Sequence, residues 1–335
     1  MNSNVLVLCD TEEEYAHHMS EYLKAQKEVP WEIHTYTDPE RAADFAASGE
    51  IDMLVVAERA YTDRIRSISS TKMVLLNESG VIRYEGVRNV NKYQQAREVY
   101  REILNEYMEI AGEPYQKLEA ASNTRIIGLF SPVHRCLQTT FALTMGQMLS
   151  AKYRVLYLNF EQYAGIAELA ADVGCRDLAD LIFFLNTDRD RFLLRMQTVV
   201  LKKGQMDYVP TAKAGANLLE VRPEEWVEML QKISQSGDYD YLILDLSEGV
   251  QGVFEILRMC FKVYTLIRED RNARGKLAQY ERLLAMADYD DVLQKTSRYR
   301  IPRIRKIPEE IELLTKGELA DYVRRVILEV TSQEV

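Results

Sequence analysis

Short apolar runs separated by helix-like stretches recur through the first third of the chain. Five runs read as strands: 4–9, 31–36, 52–57, 72–76 and 87–90. Apolar positions recur at helical spacing over 12–27, from Asp38–Pro39 onward and over 92–110. Buried strands that alternate with helices are typical of a parallel α/β sheet. Residues 1–110 are therefore predicted to form one α/β domain.

The periodic pattern stops and then resumes further along the chain. Residues 111–124 collect Gly, Pro, Ser and Asn, and this stretch is predicted to be a linker. Five more strand-like runs follow, at 125–130, 154–159, 206–209, 241–246 and 262–266. Helical patterns cover 141–151, 177–185, 189–201, 223–234, 272–287 and 318–329. This order predicts a larger, doubly wound α/β domain over residues 125–335.

Composition and charge narrow the class of protein. The chain has 335 residues, of which 47% are apolar and 28% charged, with a formal net charge of −10. An acidic chain is a poor candidate for non-specific binding of nucleic acid, which needs a positive surface. The four cysteines are far apart and form no CxxC pair, so neither a metal site nor a disulfide framework is expected. With no leader pattern and no apolar stretch of membrane-spanning length, we expect a cytoplasmic protein without an integral membrane segment.

The five β/α units of residues 1–110 resemble the receiver domain of two-component signalling, which has a flavodoxin-like fold. The resemblance implies an acid after the first strand, a phospho-accepting aspartate after the third, a hydroxyl residue after the fourth and a lysine after the fifth. Asp10, Ala57, Asn77 and Lys92 occupy these positions. Ala57 has no oxygen to accept a phosphoryl group, and Lys92 is explained equally well as the first residue of a helix. We therefore expect a pseudo-receiver domain that serves docking or dimerisation.

Three segments of the second domain resemble motifs of the MinD/ParA group of P-loop ATPases. They are SPVHRCLQTT (131–140), VLYLNFE (155–161) and YDYLILDLSEG (239–249). In that group the first segment reads SPKGGVGKTT and the third reads YDYVIxDxPxG. The whole chain resembles the receiver-plus-ATPase proteins associated with Flp/Tad pilus assembly. The resemblance implies a nucleotide site, with Thr139, Thr140 and Asp245 on its magnesium side and Glu161 in the switch region.

The first of these segments lacks the residues that hold phosphate. Its glycine positions are occupied by His134, Arg135 and Leu137, and its two lysine positions by Val133 and Gln138. Glycine permits the backbone conformations that point successive N–H groups at phosphate, so side chains here are expected to remove that geometry. Each lost charged hydrogen bond is worth about 1.5–3 kcal/mol. The site is therefore predicted to be vestigial, with Arg135 as a candidate replacement cation.

The surviving residues also have structural explanations. Helix capping explains Thr139 and Thr140 as well as a metal contact does. Hydrogen bonds to neighbouring loop N–H groups explain Asp245, and Glu161 is expected to be a solvated or structural acid.

Together these features predict a non-catalytic scaffold or localisation protein that acts through protein contacts. By resemblance its partners belong to pilus or secretion machinery, with homodimerisation as a further expected contact, and no cofactor is expected. The alternative is an atypical MinD/ParA-like protein that binds or hydrolyses ATP with Mg²⁺, using Arg135 in place of lysine. A regulator driven by phosphorylation of the first domain is disfavoured by Ala57.

The last helical pattern has one continuous apolar stripe: Leu319, Tyr322, Val323, Val326, Ile327 and Val330. In the MinD branch a C-terminal amphipathic helix binds membrane, which is one interpretation of this stripe. Interfacial helices gain from a basic polar face, whereas the charge on this face is nearly balanced. The helix is therefore predicted to pack into the core of the second domain.

Overall fold

The computed structural model describes residues 4–331, apart from 27–28, 30, 49–50, 69–71, 80–83, 85, 109–123, 167–168 and 170–174. The chain divides into two compact units, Met1–Gln116 and Lys117–Val335. The predicted linker, 111–124, lies outside the described residues except for Thr124.

The first unit is built on a five-stranded parallel sheet in the order β2-β1-β3-β4-β5. Its strands are β1 (Asn4–Cys9), β2 (Trp31–Tyr36), β3 (Met53–Ala57), β4 (Lys72–Asn77) and β5 (Arg88–Asn91). Its helices are α1 (Glu13–Lys24), α2 (Pro39–Ser48), α3 (Asp63–Arg66) and α4 (Ala96–Met108), with a 3-10 helix at Glu58–Ala60. This strand order is that of flavodoxin-like domains, so the fold predicted for residues 1–110 is confirmed.

The first unit buries its central strands on both faces. Every residue of β3 is buried, and Val7, Leu54 and Leu75 share one apolar cluster with Ala42 and Ala43 of α2. Because parallel strands end at the same edge of a sheet, the residues that follow β1, β3, β4 and β5 are brought to one edge.

The second unit has a seven-stranded mixed sheet in the order β12-β11-β6-β10-β7-β9-β8. Its strands are β6 (Arg125–Leu129), β7 (Val155–Asn159), β8 (Leu201–Lys203), β9 (Met206–Tyr208), β10 (Tyr241–Asp245), β11 (Lys262–Leu266) and β12 (Thr296–Tyr299). Its helices are α5 (Gln138–Leu149), α6 (Leu178–Thr187), α7 (Phe192–Gln197), α8 (Ala216–Leu219), α9 (Pro223–Gln235), α10 (Val253–Met259), α11 (Arg271–Met286), α12 (Asp290–Gln294) and α13 (Glu318–Thr331). Only β8 pairs antiparallel among these described strands.

Successive residues of the central strands serve two different cores. On β10, Leu242 and Leu244 belong to one apolar cluster, whereas Tyr241 and Ile243 belong to the other. This alternation follows from the two-residue period of a strand and shows that both faces of the sheet are covered. Asp245 lies opposite both Leu129 of β6 and Asn159 of β7, so the ends of β6, β7 and β10 meet.

The predicted element order is wrong in part, and it also lacks the short helices α3, α8, α10 and α12. The helix predicted over 189–201 is a 3-10 turn at Arg189–Arg191 followed by α7, and its last residue, Leu201, begins β8. Strand β12 has the polar sequence TSRY and pairs with β11 alone, so it lacks the apolar run by which the other strands were recognised.

The C-terminal helix α13 packs into the second unit as predicted. Leu319, Val323 and Val326 are buried in the same core cluster as Phe141 and Met145 of α5. The stripe from Leu319 to Ile327 therefore faces protein, whereas the side chain of Val330 lies outside the described residues. Over the described part of the chain, none of the helices is both long and apolar enough to cross a membrane.

Candidate functional site

The loop after β6 keeps an unusual backbone without glycine. His134, Arg135 and Leu137 have φ angles of +57°, +50° and +64°, in the left-handed region. These are the three positions that hold glycine in the resembled motif. The expectation that side chains here remove the glycine backbone geometry is therefore wrong. Each non-glycine residue in this conformation costs about 1–2 kcal/mol, which the surrounding structure offsets.

The start of the loop is fixed by a buried serine. The Ser131 hydroxyl donates to the carbonyl of Leu266 at 2.6 Å and accepts the backbone N–H of Val133 at 3.2 Å. Cys136 is buried, and burial raises the pKa of its thiol. The cysteine therefore contributes to packing.

Gln138 fills the space beside the carboxylate of Asp245. Its amide nitrogen Nε2 lies 2.7 Å from Oδ1 of Asp245 and 2.9 Å from the carbonyl of Leu246. In the resembled motif this position carries the lysine that neutralises phosphate. Here a neutral amide donates both of its N–H groups to acceptors at the end of β10, so the position supplies no free positive charge.

Asp245 is the centre of a buried hydrogen-bond network. Besides Gln138, its carboxylate accepts the Tyr157 hydroxyl at 3.0 Å and Nδ2 of Asn159 at 3.3 Å. Burial raises the pKa of Asp245, although hydrogen bonds from Gln138, Thr139 and Tyr157 act in the opposite direction. The expectation of loop N–H donors is wrong, because the donors to this carboxylate among the described residues are side chains. Both carboxylate oxygens have protein donors in place of a metal ion.

The two threonines are helical residues and not caps. Helix α5 begins at Gln138, and its N-cap is Leu137, which makes no side-chain capping bond. The Thr139 side chain acts on the Asp245 carboxyl group and lowers its pKa. The carbonyl of Thr140 accepts the Thr144 hydroxyl at 2.7 Å. The capping interpretation of Thr139 and Thr140 is therefore wrong.

Glu161 and the loop charges lie at the margin of this network. The backbone N–H of Glu161 donates to Oδ1 of Asn159 at 2.8 Å. Burial, Asp245 and Glu248 raise the pKa of Glu161, whereas His134 lowers it. His134 Nε2 lies 3.1 Å from Oε1 of Glu248. Arg135 is exposed and forms no ion pair with any described residue.

Tyr157 is the member of this network that the sequence interpretation missed. It precedes Asn159 by two positions on β7, so both side chains lie on the same face of the strand. Nδ2 of Asn159 also donates to the Tyr157 hydroxyl at 2.9 Å. A side chain with a polar tip in an otherwise aliphatic buried strand was the available signal.

The receiver-like positions converge, but a buried lysine fills the space between them. Lys92 Nζ lies 2.9 and 3.0 Å from the two oxygens of Asp10, and 3.3 Å from a carboxylate oxygen of each of Glu12 and Glu78. Lys92 follows β5 and α4 begins only at Ala96, so its interpretation as the first residue of a helix is wrong.

The pKa values of Lys92 and Glu12 are both shifted by the charged groups around them. Burial lowers the pKa of Lys92, but hydrogen bonds and charge attraction from the three carboxylates outweigh it, and the net pKa is raised. A hydrogen bond from Lys92 lowers the pKa of Glu12. Arg59 adds a second cation, 2.8 Å from Glu78. The cluster is thus internally paired.

The phospho-acceptor position of the first unit is apolar. Ala57 is fully buried and belongs to the core cluster of that unit. The adjacent Glu58 carboxylate accepts the backbone N–H groups of Glu78 and Ser79 at 3.1 and 3.2 Å. Asn77 is buried, and its carbonyl accepts the N–H of Lys92 at 2.9 Å. The residue at the phospho-acceptor position therefore has no side-chain oxygen.

Comparison with solved structures gives likenesses to two kinds of domain. A ParA family ATPase from Chlorobium tepidum TLS matches 61% of this chain and 99% of its own, at 17% identity and a TM-score of 0.48. A putative plasmid partition protein from Borrelia burgdorferi B31, bound to AMPPNP, matches 63% and 99%, at 14% identity and a TM-score of 0.44. The signal receiver domain of an HD domain-containing protein from Pseudomonas fluorescens Pf-5 matches 32% and 99%, at 19% identity and a TM-score of 0.28.

At these identities and scores the likenesses describe the fold and say nothing about activity. No protein-family model matches the chain, and no curated protein sequence matches it. The fold is α/β, with a receiver-like first unit and a larger mixed sheet that resembles those of ParA/MinD P-loop domains. No group of three or more His, Cys, Asp or Glu side chains within the described ranges is arranged to hold a metal ion.

Proposed function

We propose that this chain is a non-catalytic scaffold or localisation protein that acts through contacts with other proteins. The observation that carries the proposal is the Gln138 amide, which donates to both Asp245 and the carbonyl of Leu246. Phosphoryl transfer depends on cations that stabilise the charge of the transferred group. Here the lysine position is neutral and engaged, so ATP with Mg²⁺ does not fit the residues present.

The first unit supports the same proposal independently. Ala57 removes the phospho-acceptor, and Lys92 binds the acids that remain. In the proteins that the two units resemble, the ends of the central strands hold reactive groups. In both units of this chain, side chains of the chain itself occupy those positions. By that resemblance, we propose partners in pilus or secretion machinery and, in addition, a second copy of the chain.

A second candidate function is nucleotide binding without efficient hydrolysis. It is favoured by the left-handed backbone at His134, Arg135 and Leu137, which is the conformation expected of a phosphate-binding loop. Arg135 would then be the phosphate contact, since it is exposed and unpaired among the described residues.

The purified full-length chain is expected to hydrolyse Mg-ATP no faster than buffer. Release of phosphate is the measurement, with an Asp245→Ala variant prepared in parallel to identify contaminating activity. Turnover that disappears in Asp245→Ala would contradict the proposal.

Titration calorimetry with Mg-ATP separates the two candidate functions. The first predicts no binding heat. Saturable binding that is lost in Arg135→Ala and kept in Arg282→Ala, an exposed arginine of α11, would establish the second.

A further inference from the structure

A nine-residue stretch of the second unit is strongly basic in an acidic chain. Residues 298–306 contain five cationic side chains and no acidic one. We call this stretch the basic strap, and its cations are Arg298, Arg300, Arg303, Arg305 and Lys306. Since the chain has a formal charge of −10, the remaining residues carry −15. The strap is thus a positively charged stretch in a negatively charged molecule.

Apolar packing and hydrogen bonds hold the backbone of the basic strap in place, and its charged side chains are exposed. Ile301, Ile304 and Ile307 recur every third residue and pack against the core cluster that contains α5 and α13. The Tyr322 hydroxyl donates to the carbonyl of Arg300 at 3.0 Å, and the N–H of Arg305 donates to Glu318 at 3.1 Å. All five cationic residues are exposed. The backbone is therefore held in place while the charges face solvent.

Three of these cations have no internal counter-charge. Arg298 pairs with Glu281 and Arg300 with Glu269, each at 2.5 Å. Arg303, Arg305 and Lys306 form no ion pair with any residue that the structure describes. An exposed ion pair contributes about 0–1 kcal/mol, so stability alone gives little reason to gather cations here.

We propose that the basic strap is a docking site for an acidic segment of a partner protein, an extended stretch rich in Asp and Glu. This deepens the proposed function by naming one surface through which protein contacts are made. Guanidinium groups bind carboxylates with two parallel hydrogen bonds, and four of the five cations are arginines. Because the strap is already anchored, binding orders less of this chain, which favours affinity.

The charge distribution favours an acidic peptide over larger polyanions. Nine residues span at most about 28 Å at roughly 3.1 Å per residue, which is no longer than a short peptide. A nucleic-acid duplex or an anionic bilayer extends beyond the strap and meets the negative charge of the remaining surface. Ile301 and Ile304 pack against the core cluster and are therefore not free to insert into lipid.

The test measures fluorescence anisotropy of a labelled deca-glutamate peptide with the full-length chain at low salt. Wild type is expected to bind, and the affinity should fall as salt is raised. The variant R303E/R305E/K306E should lose at least about tenfold in affinity. The control R41E/K202E/R282E makes the same charge change at exposed positions off the strap and should stay within about twofold. Thermal melting checks the fold of each variant, and R303Q/R305Q/K306Q replaces the first if it fails to fold.

Three results would overturn the proposal: no peptide binding by wild type, equal loss in the control variant, or tighter strap-dependent binding of a 20-base-pair duplex or phosphatidylserine vesicles than of the peptide. Each assay is repeated with Mg-ATP. Measured ATP turnover contradicts the proposed function and leaves the strap result standing, whereas failed peptide binding contradicts the strap alone.

Discussion

One neutral side chain, that of Gln138, connects the start of α5 to the end of β10. Gln138 reaches the same carboxylate that Tyr157 and Asn159 bind from β7. Because Asp245 is fully buried, each donor that surrounds it compensates for lost water. Gln138 is thus one of the residues that stabilise the unit.

Gln138→Glu is expected to destabilise the second unit by about 2–4 kcal/mol at pH 7, because it removes a donor and places a second carboxylate beside Asp245. Two adjacent carboxyl groups can share one proton, so both the new Glu pKa and the already raised Asp245 pKa lie above their unfolded values. The destabilisation should therefore grow as pH rises above about 4 and shrink below it. Urea unfolding at several pH values measures this.

Gln231→Glu, an exposed change on α9, is the matched control and should alter stability by less than about 0.5 kcal/mol. Equal stability of Gln138→Glu and wild type at pH 7 would mean that the amide does not support Asp245.

In the first unit the corresponding single residue is Lys92. Its ammonium is fully buried and lies within 3.3 Å of three carboxylates. Since its folded pKa is raised, its stabilising contribution is complete below the ordinary lysine value, about 10.4, and is lost as pH rises through the folded value. The lowered pKa of Glu12 gives a contribution lost as pH falls below about 4.

Lys92→Met is expected to destabilise the first unit by about 3–5 kcal/mol at pH 7, because it leaves buried negative charge unpaired. The loss should be smaller at pH 3, because the contribution from the lowered Glu12 pKa fades as pH falls below about 4. Stability should be partly restored in Asp10→Asn/Lys92→Met. Lys24→Met removes an exposed pair with Glu21 and should cost less than about 1 kcal/mol. A Lys92→Met effect that is independent of pH would argue for packing alone.

At the scale of elements, the loop between β6 and α5 is held in a conformation that its residues disfavour. His134, Arg135 and Leu137 all have positive φ, and Leu137 is the N-cap of α5. The neighbouring contacts of Ser131 and Gln138 fix both ends of the loop. The conformation is therefore imposed by tertiary structure and not by local preference.

Arg135→Gly is expected to stabilise the second unit by about 0.5–1 kcal/mol, because relief of the left-handed conformation exceeds the entropy gained by the unfolded chain. In a helix the same substitution acts in the opposite direction, so Arg282→Gly in α11 should destabilise by about 1 kcal/mol. Thermal melting of both variants tests whether the two substitutions change stability in opposite directions. Destabilisation by Arg135→Gly would show that the arginine side chain supports the loop.

The sequence predicted those elements whose burial leaves an apolar pattern. Strands β1 and β11 were placed with their observed bounds, because a strand that is buried over most of its length requires a run of apolar residues. Edge strand β12 was missed because one neighbour suffices to hold it and its residues stay polar. Leu201 was assigned to a helix since its apolar run carries no period that distinguishes helix from strand.

The sites were predictable in composition and not in geometry. The residue types at positions such as Ala57 and Gln138 could be read from the sequence, without the contacts that these residues make. The donors that surround Asp245 and the acids that surround Lys92 come from separate elements, so only the folded chain brings them together. Left-handed backbone at residues other than glycine also has no local sequence signal.

At the scale of the whole molecule, each unit keeps a framework built to present side chains at the carboxyl ends of parallel strands, the usual ligand site of such sheets. In both, those ends are occupied by the chain itself, through Lys92 in the first unit and Gln138 in the second. Net charge is also unevenly distributed, since residues 298–306 are basic within an acidic chain. We therefore expect partners to bind at the outer surfaces of the two units and not at the ends of their central strands.

The left-handed run at His134, Arg135 and Leu137 has a consequence for local unfolding. Together the three residues store about 3–6 kcal/mol, a sizeable part of the roughly 5–15 kcal/mol that separates a folded domain from its unfolded ensemble. Opening this segment releases that energy, so its amide protons should exchange with solvent through small fluctuations long before those of β6 and β10. Weakly protected backbone then lies directly beside Asp245, a fully buried carboxylate.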